Sequence, residues 1–133
     1  MYALLIQELV ADAGEQERLF SALSTMPAVA AKARWCIRWT SSTTTSFATR
    51  LAAFAIVEGV FFSSSFAAIF WMRSRGLLPG LCMSNELIAR DEGMHTGFAC
   101  LLWEELDRRT PREVIELMVV DAVTLEKEFF ACE

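Results

Sequence analysis

The chain has 133 residues and a formal net charge of −5, with 54% hydrophobic and 22% charged residues. This length supports one domain with a core rather than two domains. Basic residues form no cluster, which argues against nucleic-acid binding because such proteins present a basic face. So apolar a composition predicts that much of the chain is buried, within itself, against sequence outside it, or in lipid.

Four cysteines are widely spaced and include no C-x-x-C pair: Cys36, Cys82, Cys100 and Cys132. This usage favours reduced core thiols of a cytoplasmic protein. The first residues do not follow the pattern of a secretion signal, so none is expected. Because Met1 leads directly into an amphipathic segment without a cap, the chain is expected to begin inside a helix.

Apolar residues recur at helical spacing, and no strand alternation is evident, so the fold class is predicted to be all-α. Residues 2–13 and 15–25 are expected to be helical, and Pro27 opens a helix that runs to Trp39. That helix is expected to bury Val29, Trp35, Cys36 and Trp39 and to expose Lys32, Arg34 and Arg38. The hydroxyl-rich residues 40–46 are predicted to be a loop.

The longest predicted helix covers residues 47–73, and its central part from Leu51 to Trp71 carries one ionisable residue, Glu58. About 20 apolar residues suffice to span a membrane, so a transmembrane segment is one interpretation. A carboxylate near the middle opposes it, because insertion of such a charge costs about 2.5–3.5 kcal/mol. The three serines at 63–65 also oppose it, and a helix buried on all sides of a soluble bundle is favoured.

Residues 76–80, GLLPG, are expected to break the chain before a helix that is capped by Ser84 and runs to Leu106. Thr110, Pro111 and Glu113 predict a capping box for a final helix. This helix reaches the end of the chain without a glycine or proline. The helical domain at 1–133 is therefore expected to be incomplete at both ends.

The only histidine, His95, lies three residues after Glu92, so the two side chains share one face of the predicted helix. The same face carries Asn85, Ile88, Ala99 and Leu102, so a carboxylate and an imidazole point toward apolar surroundings. Glu58 does the same from another helix. An interior carboxylate needs a compensating cation, and a metal is one candidate.

Four-helix carboxylate proteins that bind two metals use one carboxylate from each of two helices and a Glu-x-x-His pair from each of two others. Glu58, together with Glu92 and His95, supplies half of that inventory. Carboxylate and imidazole ligands suit iron or manganese. A structural histidine and a glutamate paired with arginine are the alternatives. The other half must come from sequence outside this chain or from a second copy, or the site is vestigial.

Three blocks resemble the small, radical-generating subunit of class I ribonucleotide reductase in its eukaryotic-type form. They are VEGVFFSSSFAAIFW at 57–71, RGLLPGL at 75–81 and SNELIARDEGMHTGFACLLW at 84–103. MYALLI at the start, TMPAVAAKARWCIRW at 25–39 and the final LEKEFF extend the likeness along the chain. The resemblance implies a ferritin-like di-iron carboxylate bundle, truncated at both ends.

The resemblance also implies a role for individual residues. Glu58 matches a lone glutamate ligand, Glu92 a bridging glutamate, and His95 the histidine ligand of one of two irons. Asp91 matches an aspartate on the electron path that hydrogen-bonds a histidine at the other iron. Manganese is the alternative metal.

Two further features of the family concern the radical itself. Phe62, Phe66 and Ile88 match an apolar pocket that shields the radical. Tyr2, the only tyrosine, matches the residue that is oxidised to the stable radical. Ser64 stands where many relatives have glycine, and residues 96–97 stand where many have Cys-Asp. Because neither departure touches a ligand, small effects are expected.

The family's activity gives the leading functional hypothesis. Two Fe(II) ions and oxygen generate a tyrosyl radical, which a large subunit uses to reduce ribonucleoside diphosphates to their deoxy forms. The small subunit is a cytoplasmic homodimer that binds the large subunit, with no nucleic-acid or membrane partner. By itself, this chain is expected to be inactive. The alternatives are a catalytically dead relative that serves in dimerisation or regulation, and a membrane helix protein.

Overall fold

The computed structural model describes residues 2–41 and 45–131, with only the backbone of Tyr2. Within these ranges the chain forms helices and no strand, which confirms the all-α prediction. The helices are α1 (Tyr2–Leu9), α2 (Ala13–Phe20), α3 (Ala22–Thr25), α4 (Pro27–Thr40), α5 (Phe47–Val60), α6 (Ser63–Ser74), α7 (Pro79–Glu104) and α8 (Arg112–Ala131).

Helices α5 and α6 follow one another along α7 and run antiparallel to it. Near the start of α7, Cys82 Sγ donates a hydrogen bond to the Ile69 carbonyl of α6 at 3.6 Å. Farther along α7, Thr96 lies against Gly59 of α5. Helices α4 and α8 also pack against α5, so the helix that carries Glu58 is the centre of the bundle.

The core lies where α4, α5 and α8 meet. Its buried members are Trp35, Ala53, Ile56, Phe61, Met118 and Ala122. The Trp35 ring packs edge-on against Phe61, with ring centroids 5.1 Å apart. Cys36 and Trp39 pack against the same cluster, which confirms the predicted inward face of α4.

The predicted helix at 47–73 is in fact two helices, because the chain turns at Phe61 and Phe62. The Phe61 N–H still donates to the Val57 carbonyl at 3.2 Å, and α5 ends there. The Ser63 hydroxyl then donates to the Val60 carbonyl at 2.7 Å. Groups on two other helices satisfy further backbone atoms of this break, which the local pattern does not reveal.

Lys32 faces inward and is half-buried, contrary to the prediction that it faces outward. Its Nζ atom lies 2.7 Å from Glu126 Oε2 and 2.5 Å from the Phe61 carbonyl oxygen. It also lies 4.0 Å from the centroid of the Phe129 ring. Glu126 is 6% exposed, and its Oε1 accepts hydrogen bonds from the Ser64 N–H at 2.9 Å and the Ser64 hydroxyl at 2.5 Å. The carboxylate attracts the lysine inward.

The apolar segment around Glu58 is not buried on all sides in this chain, contrary to the favoured interpretation of its sequence. Phe54 is 42% exposed and Trp71 is 57% exposed, and α6 has no fully buried residue. By length and composition the stretch Phe47–Ser74 could cross a membrane, a test that core helices of soluble proteins also pass. Both α5 and α6 therefore expose aromatic side chains.

Several helix boundaries differ from those that the sequence predicts. The segment at 15–25 is divided at Ser21, and α1 ends at Leu9. Helix α7 begins at Pro79 rather than at Ser84, whose hydroxyl donates to the Gly80 carbonyl at 3.0 Å. The predicted cap Thr110 instead shares a buried hydrogen bond with Thr49, with 3.0 Å between the hydroxyl oxygens. At Thr110, a tertiary contact therefore takes the place of the predicted cap.

Candidate metal centre

Glu58 lies in the last turn of α5, and Glu92 and His95 lie in the middle of α7. The two helices approach closely at Gly59, where an added Cβ would be 3.3 Å from Thr96 Cγ2. The Thr96 hydroxyl turns back to its own helix and donates to the Glu92 carbonyl at 3.0 Å. A glycine next to the carboxylate of α5 thus lets that carboxylate reach the pair on α7.

The structure brings all three side chains together. His95 Nδ1 lies 3.3 Å from Glu92 Oε2 and 3.5 Å from Glu58 Oε2. One ligand atom from each residue lies within 4.8 Å of the others. In the described part of the chain, His95 is the only basic side chain that pairs with either carboxylate. The site therefore has two acidic groups and one imidazole facing a common point.

The site is half-enclosed rather than sealed. The side chains of Glu58 and Glu92 are 15% and 21% exposed, whereas that of His95 is 55% exposed. The carboxylates thus lie against the helix interface, while solvent reaches the imidazole. An ion or a proton can enter from the His95 side.

Burial raises the pKa of Glu58 above its usual range, and a hydrogen bond with Glu92 and repulsion from its carboxylate raise it further. His95 opposes this shift in Glu58. The pKa of His95 is raised mainly by its hydrogen bond to Glu92, with a further contribution from Glu58. The two carboxylates therefore repel each other, and a cation held between them would offset that repulsion.

The donor set fits a divalent transition metal. Bonds from carboxylate oxygen or imidazole nitrogen to an ion of zinc's size are about 2.0–2.2 Å, so ligands on opposite sides lie about 4 Å apart. The span of 4.8 Å among the three donors is close to that value and needs only small side-chain adjustments. Two carboxylates and one imidazole also match the ligand types that suit iron and manganese.

Comparisons with known proteins place this geometry in a family. The family described as "Ribonucleotide reductase, small chain" matches residues 1–132. The chain belongs to the ribonucleotide reductase small-chain family. It is 53% identical over 129 residues to the ribonucleoside-diphosphate reductase small chain of Nicotiana tabacum, a match that covers 97% of this chain but 39% of that protein. It is 49% identical to the human reductase subunit M2, with 97% of this chain but 33% of that protein covered.

A solved structure of the same family has a similar fold. The ribonucleotide reductase Rnr4 homodimer from Saccharomyces cerevisiae matches with a TM-score of 0.79 and 38% sequence identity. The match covers 85% of this chain but 36% of that one. It confirms the ferritin-like helical fold that the sequence predicted. The chain thus spans only 33% to 39% of the length of these small-chain relatives.

The remaining residues to which the family resemblance assigned roles lie along the same helices. Asp91 is next to Glu92 on α7, half exposed, with its carboxylate 3.7 Å from Arg90 Nε. Phe62 and Phe66 contact each other across the start of α6, with ring centroids 6.1 Å apart. Ile88 is half-buried on α7. Their roles in electron transfer and radical shielding stay predictions.

One other prediction from the sequence, the radical site at Tyr2, also remains open. Phe62 itself lines a cavity of about 330 Å³ among α4, α5, α6 and α8, together with Lys32 and Phe129. Tyr2 begins α1, which packs against α2. The side chain of Tyr2 lies outside the described residues, so its place relative to the metal ligands stays a prediction.

The sequence reasoning missed the ion pair of Lys32 and Glu126, although both residues carried a signal. Glu126 lies in the apolar stripe of α8, four residues after Ala122 and three before Phe129. Lys32 likewise lies four residues before Cys36 on the inward face of α4. Ionised groups at such inward positions need a partner of opposite charge, and Lys32 and Glu126 are partners of one another.

Proposed function

We propose that this chain forms part of the small subunit of a ribonucleoside-diphosphate reductase. In this proposal Glu58, Glu92 and His95 bind one metal of a two-iron centre, with manganese as the alternative metal. The observation that carries the proposal is the convergence of these three donors from α5 and α7, within 4.8 Å of one another, in a chain of the small-chain family. The other ligands would come from the part of the subunit that this chain does not span.

The main role of the three site residues would be to hold two carboxylates and an imidazole in fixed positions around the metal. Glu58 would be an anionic ligand, and a metal bound there would offset the repulsion between its carboxylate and that of Glu92. Glu92 would take the bridging position that the family resemblance assigns to it, next to His95 on α7. The solvent-exposed edge of His95 supplies the path by which the ion enters.

Bound iron and dioxygen would supply the oxidation that leaves a radical on Tyr2, and the large subunit would use that radical to reduce ribonucleotides. Asp91 would lie on the path of the electron, next to the ligand Glu92. Phe62, Phe66 and Ile88 would keep water and reductants away from the radical. We expect the assembled subunit to be a cytoplasmic homodimer that binds the large subunit, with no nucleic-acid or membrane partner. Residues 1–133 would form part of one ferritin-like domain.

A chimera tests this function directly. The present chain would replace the matching segment of the Nicotiana small chain, to which it is 53% identical. Loaded with Fe(II) and exposed to oxygen, the chimera is expected to show a tyrosyl radical by electron paramagnetic resonance. With the large subunit it is expected to reduce ribonucleoside diphosphates.

The control for the radical site is Tyr2→Phe in the same chimera, which is expected to bind iron normally and to show no tyrosyl signal. A signal that persists in this variant would show that Tyr2 is not the radical site. A folded chimera that binds no iron would contradict the proposed function as a whole and would favour the catalytically dead relative.

A further inference from the structure

We infer that the buried ion pair of Lys32 and Glu126 positions Glu58 for metal binding, because it fixes both sides of the break between α5 and α6. Lys32 comes from α4 and Glu126 from α8, so two further helices set the place of a ligand on α5. The inference rests on the proposed metal site. It assigns these two residues a positioning role, since neither contacts a ligand atom.

The ion pair caps two helix ends at once. The last carbonyl groups of a helix and its first N–H groups have no partner within the helix. The Lys32 ammonium donates a hydrogen bond to the carbonyl oxygen of Phe61, where α5 ends, at 2.5 Å. Glu126 accepts the N–H of Ser64, in the first turn of α6, at 2.9 Å. Phe62, the residue just before α6, forms no side-chain hydrogen bond that caps this helix.

These contacts act on the turn that carries the ligand. Glu58 precedes Phe61 by three residues and so belongs to the same last turn of α5. Terminal turns fray unless their backbone groups are held. On the α7 side, Gly59 rests against Thr96. On the opposite side, the Phe61 side chain is 3% exposed against Trp35, and Lys32 holds its carbonyl.

Loss of the ammonium would release this turn. In Lys32→Met a side chain of similar length fills the space, but the Phe61 carbonyl loses its donor and the Glu126 carboxylate loses its counter-charge. The last turn of α5 is then free to shift, and Glu58 with it. Removal of residues that orient metal ligands typically costs about 10- to 100-fold in metal affinity.

The experiment is a Mn²⁺ titration of the 133-residue chain, followed by electron paramagnetic resonance of the free ion, on folded samples checked by circular dichroism. Lys32→Met is expected to weaken Mn²⁺ binding about 10- to 100-fold. The matched control is Arg73→Met, which breaks an exposed pair between α6 and α7, Arg73 with Glu86 at 2.6 Å. The control is expected to bind as the unaltered chain does, since exposed pairs contribute little.

Amide hydrogen exchange provides a second readout that needs no metal. In Lys32→Met, the amides of Gly59 and Phe61 are expected to exchange faster by a larger factor than the amide of Ala122 in the core. Equal acceleration at all three would indicate general destabilisation and would overturn the inference, as would Mn²⁺ affinity equal to that of Arg73→Met. If the unaltered chain binds no Mn²⁺, the metal site itself fails, and the inference fails with it.

Discussion

Replacing Glu126 with glutamine is expected to lower the free energy of unfolding at neutral pH by about 3–5 kcal/mol, the usual cost of removing one partner of a buried ion pair. The Lys32 side chain is only 15% exposed and would be left without a carboxylate beside it. Urea denaturation measures the effect. The matched control on the same helix is Glu116→Gln, which breaks the exposed pair of Glu116 with Arg112 and should cost less than about 1 kcal/mol.

The same variant should reveal how this pair responds to acid. Burial raises the pKa of Glu126, but the Lys32 ammonium and the Ser64 hydroxyl and N–H outweigh it, so the net pKa lies below the usual 4.5. Its stabilising contribution is therefore complete above that value and is lost as the pH falls through the lowered pKa. The difference in free energy of unfolding between Glu126→Gln and the unaltered chain should therefore become smaller as the pH falls below 4.5. A difference that stays constant there would contradict this origin of stability.

Truncation of Met118 to alanine is expected to lower the free energy of unfolding by about 2–5 kcal/mol. Met118 is 0% exposed in the cluster that joins α4, α5 and α8, so its loss removes apolar contacts and leaves a cavity. Chemical denaturation again gives the measurement. The neighbouring residue provides the control, because Leu117 is 53% exposed and Leu117→Ala should change stability by less than about 0.5 kcal/mol. Equal losses of stability in the two variants would contradict the burial of Met118 in this core.

Local periodicity was enough to predict the helical elements and one pair in the candidate site. Glu92 and His95 are three residues apart on one helix, so their proximity follows from helix geometry alone. The meeting of Glu58 with this pair is different, since it depends on how α5 packs on α7. The sequence suggested it only through the ligand inventory of carboxylate proteins, and the close approach at Gly59 is what achieves it.

The break at Phe61 and Phe62 and the pairing of Lys32 with Glu126 could not be predicted in the same way. The residues that hold the break, Lys32 and Glu126, lie far apart in the sequence and meet only when α4 and α8 pack on the same side of α5. Taken alone, the spacing of Lys32 with Arg34 and Arg38 suggested an exposed basic edge. The partner of a buried charge is a property of the tertiary structure, so a single amphipathic pattern does not identify it.

Ser64, which stands where many relatives have glycine, has a structural role in this fold. Its backbone N–H and hydroxyl both donate to Glu126. The first of these bonds would survive a change to glycine, and the second would not. The serine hydroxyl therefore adds a donor to a buried carboxylate that the backbone already caps, although it touches no metal ligand.

The most direct test of the candidate site is the stoichiometry of Mn²⁺ binding to the unaltered protein and to its ligand variants. The unaltered chain should bind one Mn²⁺, and both Glu58→Gln and His95→Ala should lose that binding. Glu86→Gln, which alters an exposed carboxylate of α7 paired with Arg73, should bind as the unaltered protein does. Mn²⁺ binding that is absent from the unaltered protein, or equal in all four proteins, would contradict a metal centre formed by Glu58, Glu92 and His95.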